Sequence, residues 1–309
     1  MKNAKGLSKI VGVALLIVLV ILAVLTYWHP GARTTLNGPH PNAVNRRKVV
    51  RVVALGDSLT QGVGDTTDNK GYSGRLKTMI HKKDKVKVVM HNYGKSGDRS
   101  DQIEKRLVDS KPMQRQVEKS QAIVMTVGGN DLLQTLTKNV TINQQSKLNT
   151  QLDSAQVTYQ NKLKRLLNTV RKYNPTAPIF LYTIYNPVYV YFANIDQVTN
   201  AVDDWNATTT KTAKSYKNLY MVDISRPLSV GQFKSATQQA KLKRKSQDIN
   251  NGKISTKTFQ ETILASNASD ELNDYLSPAD HFHPNAKGYR LMTRYVFKEM
   301  QAHEQWLLK

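Results

Sequence analysis

The sequence predicts an α/β domain, a five-stranded parallel sheet with helices on both faces. Three observations predict it. Apolar, β-rich runs alternate with helical patterns along most of the chain. Five such runs are separated by helices, as crossover connections between parallel strands require. The runs also give way to turns that carry chemically useful residues, which is where open α/β sheets bind their ligands.

The N-terminus precedes this pattern. Lys2, Lys5 and Lys9 lead into Ile10–Leu25, an uncharged run dominated by Val, Leu and Ile. Extended through Tyr27 and Trp28, it approaches the ~20 residues that cross a bilayer, with two aromatics at the interface. It is longer than the apolar core of a cleaved signal peptide, about 7–15 residues, and its nearest small-x-small site follows Ala32 with Pro30 two residues before it. We therefore expect an uncleaved transmembrane helix at 1–28, placing the protein in the cell membrane with the large domain extracellular. Arg33, Arg46, Arg47 and Lys48 dilute the charge asymmetry behind that orientation. Secretion after signal-peptide cleavage is the alternative. The stretch 29–47 reads as a linker, rich in Pro, Gly and Asn.

The domain is expected over 48–309. Strands are predicted at Val49–Leu55, Val86–Tyr93, Ala122–Val127, Ile179–Ile184 and Leu219–Val222. Helices are predicted near Tyr72–Lys82, Ser100–Asp109, Asp153–Tyr173 and Val198–Tyr216, with a last one from Asn285 to about Ala302. One segment, about 231–274, breaks the alternation. It is polar and basic and contains Lys241-Leu242-Lys243-Arg244-Lys245. Charge runs ordinarily mark a solvated helix face; a lid, or an electrostatic foot on an anionic surface, is the functional reading.

Charge narrows the partners. The chain carries 45 Lys and Arg against 23 Asp and Glu, a net charge of +22, which suits an anionic membrane face or wall polymer. Nucleic acid is not expected, because no binding motif stands out and the aromatics do not interleave with basic residues. The chain has no cysteine, which excludes disulfides, thiolate catalysis and cysteine-ligated metal.

The candidate chemistry starts at Gly56-Asp57-Ser58. A serine just past a buried strand and before a helix has its hydroxyl lifted out of the core, as an acyl-transfer nucleophile needs. The tripeptide alone also suits a turn and helix cap. A base and an orienting group are offered by Asp280-His281-Phe282-His283-Pro284-Asn285. His283 would take the Ser58 proton, and Asp280, three residues earlier, would fix its tautomer. The backbone N–H groups of Ser58 and Gly94 and the side-chain amide of Asn130 would form an oxyanion hole. Taken alone, Asn130 also suits a turn after Gly128-Gly129. No cofactor is needed for this chemistry. A metal held by Asp280, His281 and His283 is short of convergent ligands. The glycines at Gly56, Gly62 and Gly64 match neither the phosphate-loop nor the dinucleotide spacing. Asp57 and Asp131 read as capping residues, and Tyr185, Asn186 and Pro187 as a cleft wall.

Four blocks, at Gly56-Asp57-Ser58, at Gly94 within His91–Gly97, at Gly128–Asp131 and at Asp280–Asn285, occur in the order of the GDSL, or SGNH, hydrolase family. The chain resembles that family over roughly Lys48–Val230 and Leu276–Ala302. The resemblance implies a three-layer α/β/α, flavodoxin-like fold, gives Asp280 and His283 the same orienting and base roles, and implies a serine esterase or acylhydrolase. A lipid or lysophospholipid ester suits an enzyme tethered at a bilayer. An O-acyl ester on wall polysaccharide or teichoic acid suits a basic outward domain. A non-catalytic module that binds anionic wall polymer on the same fold is the alternative.

Overall fold

The strand that organises the domain, β1 (Val49–Gly56), is apolar on both sides. Val50, Val52 and Ala54 enter one helical layer, while Val53 and Leu55 enter the other. These two faces follow from the period-2 alternation of side chains in a strand. The structure is a computed structural model and describes residues 45–139, 145–250 and 272–309.

The other strands are β2 (Lys87–Gly94), β3 (Ala122–Thr126), β4 (Ile179–Tyr182) and β5 (Leu219–Val222). All pair in parallel, in the order β2-β1-β3-β4-β5. This is the flavodoxin-like order, whose topological switch point lies between β1 and β3. Gly56 lies opposite both Gly94 and Thr126, so three strands end level at that point.

In chain order the helices are α1 (Ser58–Gln61), α2 (Tyr72–Asp84), α3 (Ser100–Asp109), α4 (Lys111–Glu118), α5 (Gly129–Asn139), α6 (Gln145–Tyr173), α7 (Asp196–Ala213), α8 (Ser225–Val230), α9 (Ala236–Asn250) and α10 (Ala286–Ala302). One face of the sheet is covered by α2, through Tyr72, Leu76 and Ile80, and by α10, through Tyr289, Met292, Val296 and Met300. The opposite face is covered by α3, α4, α6 and α7, with Leu163, Leu166, Leu167 and Val170 of α6 at its centre. Each set recurs at helical spacing, which is what turns an apolar stripe toward a sheet.

The five expected strands are present. Two extend one residue further than expected, to Gly56 and Gly94, while β4 stops at Tyr182, two residues short. The reason is Asn206, whose side chain accepts from the Ile184 N–H at 2.9 Å and donates to the Ile184 carbonyl at 2.9 Å. An amide side chain thus replaces a strand neighbour. Four helices were not among those expected: the single-turn α1, and α4, α5 and α8. α4 is started by Ser110, which accepts from the Met113 N–H at 3.3 Å, and by Pro112 in its first turn. α6 begins at Gln145 rather than near Asp153.

Of the basic segment, α9 is described. Lys241, Lys243, Arg244 and Lys245 are exposed, whereas Leu242 and Ser246 on the opposite side are buried. Leu242 packs with Val190 and Ala193. The expected membrane anchor, 1–28, lies outside the described residues, among which no helix is long and apolar enough to cross a membrane.

Candidate active site

Ser58 is the first residue of α1, directly beyond the carboxyl end of β1. Asp57 holds it there. Its carboxylate accepts from the Leu59 N–H at 3.0 Å and from Thr126 Oγ1, at the end of β3, at 2.7 Å. Burial pushes the Asp57 carboxyl above the usual range, although the bonds from Thr126 and Leu59 pull it down. The capping role expected of Asp57 is thus visible, and the same side chain ties two strand ends together.

His283 stands on the loop before α10. An isolated bridge pairs Leu276 with Pro284, and the Ser277 N–H donates to the His283 carbonyl at 2.7 Å. Inside this loop Asp280 does three things. Its Oδ1 accepts from the N–H groups of Phe282 at 3.0 Å and His283 at 2.9 Å, and its Oδ2 bonds His283 Nδ1 at 2.7 Å. Burial raises the Asp280 carboxyl, but the bond from the His283 ring and the two backbone bonds outweigh it, so it sits below the usual carboxylate range. The buried Tyr185 fastens the loop to the sheet by donating to the Phe282 carbonyl at 2.6 Å.

The other imidazole nitrogen, His283 Nε2, lies 2.8 Å from Ser58 Oγ. A single hydrogen-bonded line therefore runs from Asp280 through His283 to Ser58. Such a line can take the serine proton, hold the imidazolium that results and return the proton to a leaving group. His281 takes no part in it. Its ring is buried and meets Tyr191, whose hydroxyl is 3.2 Å from Nδ1.

Asn130 lies in the first turn of α5 and lines the cleft beside Ser58. One of its amide hydrogens goes to the Asp98 carbonyl at 2.9 Å, which leaves the second for the cleft. Asp131 behind it is buried and accepts from the Ser100 N–H at 2.9 Å and hydroxyl at 2.7 Å, joining α5 to α3.

Gly94 does not stand where the sequence reading placed it. It still belongs to β2, and its N–H donates to Asn92 Oδ1 at 2.9 Å. The Asn92 amide in turn donates to the Thr60 carbonyl at 2.6 Å and to Ser73 Oγ at 2.8 Å. A side chain on Gly94 would come within 2.0 Å of the Gln61 nitrogen, so glycine is required here for the approach of α1 to β2. The residue that reaches the cleft is Gly97, three positions on, which lines it together with Ser58, Asn130 and His283. Gly97 has a φ of 82° and open space around it. Arg106 braces this loop, donating to the Tyr93 carbonyl at 3.0 Å and the Gly56 carbonyl at 2.9 Å and pairing with the buried Asp98.

A family model described as the GDSL-like Lipase/Acylhydrolase family matches residues 54–291. The chain is 27% identical over 254 residues to an uncharacterized protein of Bacillus subtilis (strain 168), YpmR, with 81% of each covered. The lipase Lip_vut3 from a goat rumen metagenome superposes with a TM-score of 0.55 at 21% identity, over 81% of this chain and 96% of that one. A mutant of an acetyl-xylooligosaccharide esterase from Geobacillus Stearmophilus superposes with a TM-score of 0.50 at 15% identity, over 81% and 94%. At these identities the two structural likenesses are likenesses of fold.

Proposed function

The chain belongs to the GDSL-like lipase/acylhydrolase family, and from that premise we propose that it is a serine esterase cleaving carboxylic esters through an acyl-enzyme. The observation that carries this reading is the unbroken line Asp280–His283–Ser58. Ser58 Oγ attacks the ester carbonyl carbon while His283 Nε2 takes its proton. The bond to the alcohol oxygen then breaks, and the alcohol leaves with that proton. Water, deprotonated by His283 in its turn, releases the acid and restores Ser58. Asp280 orients the ring and stabilises its charged form.

The negative charge on the carbonyl oxygen is met by the N–H groups of Ser58 and Gly97 and by the second amide hydrogen of Asn130. Gly97 takes the role the sequence suggested for Gly94, whose N–H is already given to Asn92. The apolar run Ile10–Leu25 behind three lysines supports a single-pass anchor with the domain outside the cell. The exposed basic residues of α9 support docking on an anionic surface.

Steady-state hydrolysis of p-nitrophenyl esters by the intact protein tests the reading. Ser58→Ala should remove nearly all turnover, and Asp280→Ala should leave a larger residue, as an orienting group does. Undiminished turnover by Ser58→Ala would overturn it.

A further inference from the structure

We propose that the amino-terminal edge of the sheet, opposite Ser58, docks on the anionic headgroups of the membrane that holds the anchor, so that the catalytic edge faces away from the bilayer. The proposal rests on the single-pass anchor reading and gives the anchored domain an orientation.

β1 has eight residues, about 26 Å of strand, which separates Ser58 beyond its carboxyl end from Lys48 before its start. Lysines crowd that start. Lys48 precedes β1, Lys85 and Lys87 stand where β2 begins, Lys119 leads into β3 and Lys217 into β5, and Lys309 lies at the same edge beside Arg47, Ser120 and Asn218. All six lysines are exposed, and none is in an ion pair among the described residues. The strand order β2-β1-β3-β4-β5 spreads them over four strand spacings, roughly 19 Å. Of the carboxylates at this edge, Asp84 and Glu304 are paired with Arg46, and Glu118 stands exposed.

A cavity of about 460 Å³ opens on the same edge, with Arg47, Glu118, Trp306 and Lys309 in its lining. Arg47 Nε is buried without a hydrogen-bond partner. A buried N–H donor with no acceptor is costly, and phosphate oxygens are the acceptors that suit a guanidinium best. A headgroup phosphate entering this cavity would supply one.

The chain also enters the domain here. The Arg47 N–H donates to the Leu307 carbonyl at 2.8 Å, and Arg46 bridges to Leu308. Residues 29–45, seventeen in all, lie between Trp28 and Arg46, a length that keeps Arg46 within about 60 Å of the bilayer. Docking is then an intramolecular event at high effective concentration. Tethering confines the domain, and the lysines choose its face: with a screening length of about 8 Å, charge on one edge is not felt at the other. The basic helix α9 packs through Leu242 on the segment after β4, at the catalytic end, which leaves it to a second anionic surface. In this orientation an ester carried by a wall polymer meets Ser58, whereas one seated in the same bilayer lies behind the domain.

The chain has no cysteine, so a single introduced one reports position. Full-length Ser215→Cys, in the exposed turn before β5, and full-length Thr66→Cys, in the exposed loop after α1, are each labelled with a fluorophore and reconstituted in vesicles carrying a nitroxide on the lipid headgroup. With phosphatidylglycerol present, quenching at Ser215→Cys should exceed that at Thr66→Cys by at least about threefold. The difference should vanish in pure phosphatidylcholine, at about 1 M salt, and when the six lysines are replaced by Gln. Arg47→Gln alone should remove about half of it. Hydrolysis of a soluble ester by the six-lysine variant should match the parent, which reports an intact fold. Equal quenching at the two positions, stronger quenching at Thr66→Cys, or a difference that persists in phosphatidylcholine would overturn the docking proposal while leaving the anchor standing. An undiminished difference in Arg47→Gln would overturn the role of the cavity. Release of the full-length protein from vesicles by alkaline carbonate would overturn the anchor reading, and this proposal with it.

Discussion

The side-chain amide of Asn130 donates to the backbone carbonyl of Asp98 at 2.9 Å, which ties the start of α5 to the loop after β2. Asp98 is itself buried and paired with Arg106. One amide hydrogen of Asn130 is thereby held in place; in the mechanism we propose, the other meets the developing oxyanion without having to reorganise.

Asn130→Ala should therefore lower kcat by roughly 10²–10³. KM should change little, because the amide meets charge that exists only during attack. Steady-state kinetics on one soluble ester separates the two, and an effect confined to KM would count against the assignment.

Gly94, the last residue of β2, and Gly97, in the loop that follows, should respond differently to alanine. At Gly94 the new methyl would lie 2.0 Å from the Gln61 nitrogen and 2.4 Å from the Thr60 carbonyl carbon, so Gly94→Ala should destabilise the fold by about 3 kcal/mol or more. Gly97 has room for a methyl but a φ of 82°, so Gly97→Ala should cost only about 1–2 kcal/mol and lower kcat by shifting its N–H. Denaturant melts read alongside kcat decide this. A stable Gly94→Ala would remove the steric argument.

Much of this site was legible in the sequence, for a physical reason. Ser58, Asn130 and the Asp280–His283 pair sit at strand ends or in a short turn, where spacing along the chain fixes position in space. Gly94 was misjudged because nothing in His91–Gly97 reveals that β2 pairs with β1 right up to Gly56, or that Asn92 captures the Gly94 N–H. The helix α5 was hidden behind Gly128-Gly129-Asn130, which reads as a turn. Its only sequence signal is the spacing of Leu132, Leu133 and Leu136, and those leucines face a cavity that only the docking of α7 creates.

Acid should weaken the loop that follows α1. Burial raises the Asp65 carboxyl, but Arg75 and the N–H groups of Gly71 and Thr67 outweigh it and bring it down to about 2. A depressed carboxyl stabilises the fold above its unfolded value, near 3.9, and that contribution is lost as pH falls toward about 2. Asp65→Asn should thus be less stable than the parent at pH 6, with the difference shrinking between about pH 4 and pH 2. Arg75→Met should cost roughly 3 kcal/mol at neutral pH, since it leaves a buried carboxylate unpaired. Urea melts across that pH range check both; a gap that persists at pH 2 would contradict the assignment.

The basic face of α9 should bind without contributing much to folding. Lys243 pairs with Asp196 at 3.2 Å, with both side chains largely exposed, and such pairs are worth about 0–1 kcal/mol. Replacing Lys241, Lys243, Arg244 and Lys245 with Gln should leave the melting temperature within a few degrees and weaken retention on anionic vesicles, most at low salt. Equal retention at low salt would make this an ordinary solvated face.

Covalent labelling tests the relay most directly. An alkyl fluorophosphonate reacts with a serine whose proton is drawn off by a base and whose oxyanion is stabilised, and the adduct can be located by mass spectrometry of the digested full-length chain. A single adduct on Ser58, absent in Ser58→Ala and slowed by about 10³-fold or more in His283→Ala, is the expected result. An unlabelled Ser58 in the folded protein, or labelling that proceeds equally fast without His283, would contradict it.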